Sequence, residues 1–251
     1  MDTPPKLRLF VAAPLGEGGT VTVEQAQAHY LRNVMRAAIG ASVALFNGRD
    51  GEWRAELVGV NKRGATLALG SRMRDQMAEP DLWLVFAPVK RARIDLIVEK
   101  ATELGVSALF PVFTRHTAVT RVNDHRLTAI AVEAAEQCER LSIPTIAAAQ
   151  SLDRLLADWP PQRRLLLLDE QGGGVPIAAA LAGLAEGPAA LLVGPEGGFA
   201  KSELDALRGL SFATAVGLGP RILRADTAVI AALACYQAVC GDWRVSPPLR
   251  F

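Results

Sequence analysis

The chain has 251 residues, of which 50% are hydrophobic and 21% are charged, and its net charge is +1. These values exclude an intrinsically disordered chain, and any nucleic-acid surface must be local. The three cysteines form no C-x-x-C pair and lie far from the three histidines, so we expect no metal site. No secretion signal and no apolar run of ~18 residues is present, and we expect a soluble cytoplasmic protein without a membrane partner.

Short β-type segments dominate the first 72 residues. Their ranges are 8–12, 42–47, 52–60 and 64–69. One helix is predicted over 23–36, and its apolar stripe comprises Val23, Ala26, Tyr30 and Val34. The pattern predicts a small β-barrel followed by a polar linker over 71–80. Residues 1–80 contain 10 Lys and Arg against 8 Asp and Glu, which weakly favours an anionic partner here.

From residue 80 onward, strands and helices alternate. Strands are predicted at 82–89, 108–114, 164–170, 189–195 and 212–218. Helices are predicted at 93–105, 124–141 (with Asp124 as its cap), 176–185, 201–209 and 224–238. Two of the strands are apolar throughout, which is typical of a parallel sheet buried on both faces. The alternation therefore predicts an open α/β domain.

Ligands bind such sheets beyond the carboxyl ends of the strands, where the loop GPEGGF (194–199) lies. It lacks the P-loop and dinucleotide-binding patterns, and the carboxylate of Glu196 disfavours an anion. The remaining functional interpretation is that the loop holds a neutral or cationic ligand with its backbone groups. The alternative is that the loop is a simple tight turn. Asp169 and Glu170 end another strand on the same side, either as ligand contacts or as solvated groups.

A second loop, GLGPRILRADT (217–227), leads from a strand into a helix. Arg221 and Arg224 place cations near the helix N-terminus, where the helix dipole disfavours them. An anionic partner would explain this arrangement, and an ion pair with Asp226 or Glu196 is the alternative. The histidines His29 and His116 are interpreted as structural or surface residues.

Five sequence blocks occur in the order found in one known family. They read HYLRNVMR (29–36), KATELGV (100–106), EAAEQCERLSIP (133–144), LLVGPEGGFAKSEL (191–204) and LGPRILRADTAVIAAL (218–233). Together they resemble the bacterial 16S ribosomal RNA uracil-N3 methyltransferase family, RsmE, of the SPOUT class. The resemblance covers nearly the whole chain, and the last two blocks are the most specific.

The resemblance implies an RNA-binding PUA-like β-barrel domain at 1–72. It also implies a SPOUT-type α/β methyltransferase domain at 80–251 that ends in a trefoil knot. S-adenosylmethionine would be the cofactor, and N3 of one uridine, uracil 1498 of 16S ribosomal RNA, the acceptor. The partners would be 16S ribosomal RNA within the 30S subunit and a second copy of the chain, because the cofactor clefts of this class lie near the subunit interface.

Carried over residue by residue, the resemblance implies two cofactor-binding loops. The first comprises Val193, Gly194, Pro195, Glu196, Gly197 and Gly198. The second comprises Leu218, Gly219, Ile222, Leu223, Arg224 and Thr227. The RNA-binding residues would be Arg8, Arg36, Lys90, Gln137 and Arg140.

The sequence departs from the family pattern at two positions. Ala200 stands where the family usually has Ser or Thr, so we expect the capping box with Glu203 to be lost. Asp226 stands where the family usually has Glu, which keeps the charge and shortens the side chain.

Two residues are predicted to be catalytic. When the N3 proton leaves uracil, negative charge spreads over N3, O2 and O4, and we expect Arg224 to stabilise that charge. Glu196 is predicted to accept the proton or to orient the substrate. Base pairing hides N3, so the target nucleotide should be unpaired or flipped out.

Three other functions stay open on the sequence. A related SPOUT enzyme would methylate a ribose oxygen or a different base. A protein that binds RNA without catalysis would have decayed loops, and the two loops here are intact. A nucleotide-dependent phosphotransferase is disfavoured because no glycine loop carries a lysine in the P-loop position.

Overall fold

The computed structural model of the protein describes residues 5–61 and 64–246. Two compact units are present. One comprises residues up to 78 together with 135–143, and the other comprises 79–134 together with residues from 144 onward. In the described parts of the chain, no helix is both long enough and apolar enough to span a membrane.

The first unit is built on a five-stranded sheet. Its strands are β1 (Leu7–Phe10), β2 (Thr20–Glu24), β3 (Ser42–Phe46), β4 (Glu52–Asn61) and β5 (Gly64–Arg74). The strand order is β1-β3-β4-β5-β2, with β1 and β3 parallel and the other pairs antiparallel. Side chains from both edge strands share one core cluster, so the sheet curves around that core.

A short helix, α1 (Gln25–His29), follows β2 and continues into a π-helical turn over Tyr30–Val34. The helix predicted over roughly 23–36 is present over 25–34, and its predicted apolar stripe is wrong. Val23 belongs to a strand that pairs with β5, and the π-helical turn shifts the face of the helix that is buried. Ala28 and Leu31 pack into the core, whereas Tyr30 and Val34 are exposed.

The predicted linker over 71–80 is wrong at its start because β5 continues to Arg74. The Nε of Arg74 donates a hydrogen bond of 2.6 Å to Glu52 Oε2, which extends the pairing between β4 and β5. The proposed domain boundaries at 72 and 80 stay a prediction, and the first compact unit also includes residues 135–143.

The second unit alternates strands and helices as predicted. Its strands are β6 (Leu82–Phe86), β7 (Ala108–Phe113), β8 (Thr145–Ile146), β9 (Gln150–Ser151), β10 (Arg164–Leu168), β11 (Val175–Pro176), β12 (Ala189–Val193) and β13 (Ala213–Gly217). Its helices are α2 (Arg91–Glu103), α3 (Asp124–Cys138), α4 (Leu152–Ala157), α5 (Ile177–Ala182), α6 (Lys201–Arg208) and α7 (Ala225–Val239). The last four residues of α3, 135–138, belong to the first unit. A 3-10 turn over Asp242–Arg244 follows α7.

All pairings in this sheet are parallel, and the strand order is β11-β13-β10-β12-β6-β7-β8, with β9 beside β7. Every residue of β12 is buried, as expected for a strand covered on both faces. Because β10 lies between β12 and β13, the loops after these three strands emerge at the same edge of the sheet. The trefoil knot stays a prediction, since strand order alone does not define threading.

The cap of α3 differs from the prediction. Asn123, not Asp124, is the N-cap residue, and its side-chain oxygen accepts a hydrogen bond of 3.1 Å from the backbone N–H of Arg126. Asp124 instead lies in the first turn of the helix.

Candidate active site

Three loops at the carboxyl ends of β10, β12 and β13 surround a cleft of about 740 Å³. This volume lies in the range of small-molecule binding sites, ~300–1,000 Å³. The predicted cofactor residues line the cleft, except Gly197 and Thr227. The sequence predicted two of these loops, and the third runs from the end of β10 to β11.

In the first loop, 194–200, the backbone at two glycines lies too close to neighbouring side chains for a Cβ atom to fit. Gly198 has φ +69°, and a Cβ at this position would lie 2.4 Å from Glu170 Oε1. A Cβ at Gly194 would lie 2.8 Å from the ring of Phe199, which is buried. Because neither position has room for a side chain, glycine lets the loop fold tightly against the end of β10.

Glu170 belongs to the third loop and holds the first loop in place. Its Oε1 accepts a hydrogen bond of 3.1 Å from the backbone N–H of Phe199. The neighbouring Asp169 is buried and pairs with Arg208, whose Nε lies 2.9 Å from its Oδ2. Both carboxylates therefore have partners in the fold, and both line the cleft. The sequence signal for this loop is an apolar strand that ends in Asp-Glu and is followed by QGGG.

Glu196, in the middle of the first loop, forms an ion pair with a helix residue that the sequence did not single out. Its Oε1 lies 3.5 Å from Nη1 of Arg93, in the first turn of α2, and both side chains are partly exposed. Arg93 also lines the cleft. The predicted association of Glu196 with positive charge is thus present, with Arg93 rather than Arg224 as the cation.

The second loop brings cations and an apolar side chain to the rim of the cleft. Arg221 and Arg224 are exposed, and neither forms an ion pair with any residue that the structure describes. Ile222 between them is 84% exposed. The alternative that Arg224 is neutralised by Asp226 or Glu196 is therefore wrong. Asp226 instead accepts a hydrogen bond from the backbone N–H of Thr227.

The start of α6 differs from the expectation at Ala200. Half of the capping box survives, because Glu203 Oε2 accepts a hydrogen bond of 3.0 Å from the backbone N–H of Ala200. The lost half is the one that needs a side-chain oxygen at position 200. Glu203 Oε1 also accepts a hydrogen bond of 2.8 Å from the backbone N–H of Arg115, which ties the loop after β7 to α6.

Of the residues predicted to bind RNA, Arg8 is held in place by contacts within the protein. Its guanidinium is nearly buried, pairs with Glu52 at 2.7 Å and lies 4.5 Å from the centre of the Phe46 ring. It also donates hydrogen bonds to the backbone carbonyls of Ala135, Glu136 and Arg140. Burial alone would raise the pKa of Glu52, but the hydrogen bonds from Arg74 and Arg8 outweigh it and lower that pKa.

The other four RNA-binding candidates lie closer to solvent. Arg36, Lys90 and Gln137 are exposed, and Arg140 is partly buried and donates to Ser142 Oγ at 3.2 Å. Arg36 has φ +52°, at the end of the π-helical turn. These residues remain candidates for contacts with RNA, whereas the partners of Arg8 leave its guanidinium little freedom to reach a ligand. Among the described residues, no three His, Cys, Asp or Glu form a group that could hold a metal.

Two family models match this chain. One, described as RNA methyltransferase domain, matches residues 77–237, and the other, described as RNA methyltransferase PUA domain, matches residues 23–69. The parallel α/β sheet with its loop-lined cleft, preceded by the curved five-stranded sheet, therefore defines an RNA methyltransferase with an N-terminal PUA domain. The predicted fold class, an α/β methyltransferase domain preceded by a PUA-like domain, is confirmed.

Similar proteins narrow the class. The ribosomal RNA small subunit methyltransferase E of Rickettsia conorii is 30% identical over 231 residues, which cover 90% of this chain and 93% of that protein. A crystal structure of the protein of that name from Neisseria gonorrhoeae, bound to S-adenosyl methionine, is 26% identical with a TM-score of 0.85 and covers 94% of this chain and 99% of its own. A methyltransferase of Legionella pneumophila with the bound cofactor SAM is 27% identical with a TM-score of 0.83, over 96% and 100% of the two chains.

This chain belongs to the ribosomal RNA small subunit methyltransferase E family. The family resemblance of the five sequence blocks is thereby confirmed.

Proposed function

We propose that this protein transfers a methyl group from S-adenosylmethionine to N3 of a uridine in 16S ribosomal RNA, at the position that the resemblance gives as uracil 1498. The observation that carries the proposal is the cleft, where a glycine loop with a carboxylate faces a loop with two cations that have no ion-pair partner among the described residues. Family membership supports the reaction class and the RNA substrate.

The residues of the cleft fit the cofactor. Its walls include apolar residues from the second loop and from α7, namely Leu218, Leu223, Ala225 and Ala228, which suit an adenosyl group. The glycines of the first loop bring backbone N–H and C=O groups to the ligand without side chains between. The carboxylates of Glu170 and Glu196 lie where a positively charged ligand would find counter-charge. When bound, the cofactor supplies a methyl group on a cationic sulfur.

Arg224 is the residue to which we assign charge stabilisation. As the N3 proton leaves uracil, the base becomes an anion, and an exposed guanidinium without an ion-pair partner at the cleft is available to it. Arg221 on the same loop is also exposed and also lines the cleft, so it is the residue with which Arg224 must be compared. Thr227 does not line the cleft, so we assign it to the first turn of α7 rather than to the ligand.

Glu196 is assigned to the acceptance of the N3 proton or to the orientation of the base. Its ion pair with Arg93 holds the carboxylate at the cleft, and 40% of the side chain remains exposed to a ligand. The target base must reach this carboxylate with N3 uncovered, so the substrate nucleotide is unpaired or flipped out of its stack. Methyl transfer then depends mainly on the alignment of N3 with the methyl group.

The proposal includes the partners and the compartment that the resemblance implies. The substrate is 16S RNA within the 30S subunit, the enzyme is a homodimer, and both are cytoplasmic, where the ribosome is assembled. Exposed Arg36, Lys90 and Gln137 and the partly buried Arg140 are the proposed RNA contacts. Light scattering of the purified protein measures the oligomeric state directly, and a monomeric mass would contradict the homodimer.

The decisive experiment is a methyl-transfer assay with labelled S-adenosylmethionine on 30S particles and on naked 16S RNA. The modified nucleoside is then located by mass spectrometry. N3-methyluridine at one position supports the proposal, and preference for the particle supports the assembled subunit as substrate. A methyl group on ribose or on another base would contradict the N3 assignment. RNA binding without cofactor binding by calorimetry and without any transfer would indicate an RNA-binding protein without catalysis.

A further inference from the structure

The segment 115–126, between β7 and the first turn of α3, begins against the first loop of the cleft. The backbone N–H of Arg115 donates to Glu203 Oε1 at 2.8 Å. Nδ1 of His116 lies 3.2 Å from the carbonyl oxygen of Gly198, and since a carbonyl only accepts, Nδ1 carries the hydrogen. The histidine that the sequence assigned to a structural or surface role therefore contacts the glycine loop itself.

The same segment ends beside α2. Arg126, in the first turn of α3, forms a bidentate ion pair with Asp95, and its Nε lies 2.9 Å from Asp95 Oδ1. Asp95 lies two residues after Arg93, which lines the cleft and pairs with Glu196. The segment therefore runs from the glycine-rich first loop and α6 to α2, and the first loop and α2 both carry residues that line the cleft.

The segment is strongly basic and faces solvent. Arg115, His116, Arg121 and His125 are exposed, and Asp124 is the one acidic residue between 115 and 126. Neither Arg115 nor Arg121 forms an ion pair with any residue in the described part of the chain. The exposed Lys90, just before α2, adds positive charge to the same unit. A solvated basic surface needs no fixed position, whereas this one is anchored to the first loop at one end and to α2 at the other.

We infer that segment 115–126 binds the phosphates of the RNA strand that flanks the methylated nucleotide, with Arg115 and Arg121 as the contacting residues. The inference rests on the proposed function and adds an RNA-binding surface on the methyltransferase unit. Phosphate contacts fix the register of a nucleic acid and carry no base information. The segment would therefore place the target nucleotide over the cleft, while the cleft itself selects the base.

The test compares Arg115→Ala/Arg121→Ala with a matched control, Arg154→Ala/Arg164→Ala. The control removes two exposed arginines from α4 and from the start of β10 in the same unit. We expect the segment variant to raise KM for the RNA substrate about tenfold, with kcat within twofold and cofactor affinity by calorimetry unchanged. The plot of log Kd against log salt should lose about 1.4 in slope, since each single-strand phosphate contact contributes ~0.7. The control should retain wild-type values.

Three results would overturn the inference while the wild type methylates RNA normally. They are an unchanged KM and salt slope in the segment variant, an equal loss in the control, or a loss of cofactor affinity with RNA binding intact. A protein partner on this segment would show as unchanged binding to naked RNA with weaker binding to the 30S particle alone. Failure of the wild type to methylate any RNA would instead refute the proposed function. Circular dichroism verifies that each variant is folded, and Arg121→Glu, which reverses one charge, should weaken RNA binding further than Arg121→Ala.

Discussion

Nη1 of Arg93 lies 3.5 Å from Oε1 of Glu196, so that a cation in the first turn of α2 is paired with the carboxylate at the centre of the glycine loop. A partly exposed pair of this kind contributes about 0–1 kcal/mol to stability. Its greater effect should be on the orientation of Glu196 at the cleft. We therefore expect Arg93 to act as a positioning residue, through Glu196.

The Arg93→Ala variant should lower kcat/KM for methyl transfer about tenfold, with little change in melting temperature. A double-mutant cycle with Glu196→Gln tests whether the loss of activity arises through Glu196. If Arg93 acts through Glu196, the double variant should be no slower than Glu196→Gln alone. Additive losses would show that Arg93 contacts the ligand independently.

Gly198→Ala should weaken cofactor binding and destabilise the protein by about 1–3 kcal/mol. The backbone there has φ +69°, which is costly for alanine, and the new Cβ would meet the Glu170 carboxylate that orders the loop. Gly197→Ala is the matched control, because its Cβ would lie at an ordinary 3.5 Å from His116 Cβ. Calorimetry and thermal unfolding of both variants measure the difference, and equal effects would argue against this account.

Arg224→Ala should lower kcat by about 100-fold to 1,000-fold, the range found when a group that stabilises developing charge is removed. Cofactor affinity should change far less. Arg221→Ala provides the comparison on the same loop and should affect turnover only slightly. Arg224→Lys keeps the charge and should recover part of the rate. If Arg224→Ala loses cofactor affinity alone, the residue belongs to the binding site and not to the chemistry.

Glu52→Gln should destabilise the protein at pH 7 by about 3 kcal/mol, because the nearly buried guanidinium of Arg8 loses its counter-charge. The lowered pKa of Glu52 means that its contribution is full above the pKa of the unfolded chain, near 4.5. That contribution is lost as pH falls through the lower folded pKa. The difference in free energy of unfolding between wild type and Glu52→Gln should therefore shrink as the pH falls below about 4.5.

Urea unfolding at pH 7, 5, 4 and 3 measures this dependence. Glu56→Gln makes the same charge change in the same strand at an exposed position, and it should have little effect at any pH. A difference between Glu52→Gln and wild type that stays constant down to pH 3 would contradict the proposed role of the ion pairs.

Ala200→Ser should stabilise the protein by about 0.5–1 kcal/mol. Ala200 has the extended backbone of an N-cap residue, and a serine oxygen would supply the acceptor that the capping box lacks. Ala200→Val has no such acceptor and serves as the control. Thermal unfolding distinguishes the two, and a gain that both variants share would indicate packing instead of capping.

The sequence predicted the alternating strands and helices of the second unit well, since apolar runs such as β12 are buried on both faces and keep a clear pattern. It also predicted both loops that carry Glu196 and Arg224, because glycine and charge after an apolar strand stand out locally. The start and the buried face of the helix predicted over 23–36 were wrong, since pairing of Thr20–Glu24 with β5 and the π-helical turn depend on contacts outside that segment.

The linear order of residues by itself determined the class of fold, the family and the two loops, because periodicity, glycine spacing and motif order are all local properties. Only the tertiary structure decided which groups are neutralised and which are available. Arg8 and Arg224 are the same residue type in the sequence, yet one is buried against Glu52 and the other is exposed at the cleft. The pairing of Arg93 with Glu196 and the contact of His116 with Gly198 join segments about 100 and 80 residues apart, and chain folding alone brings such groups together.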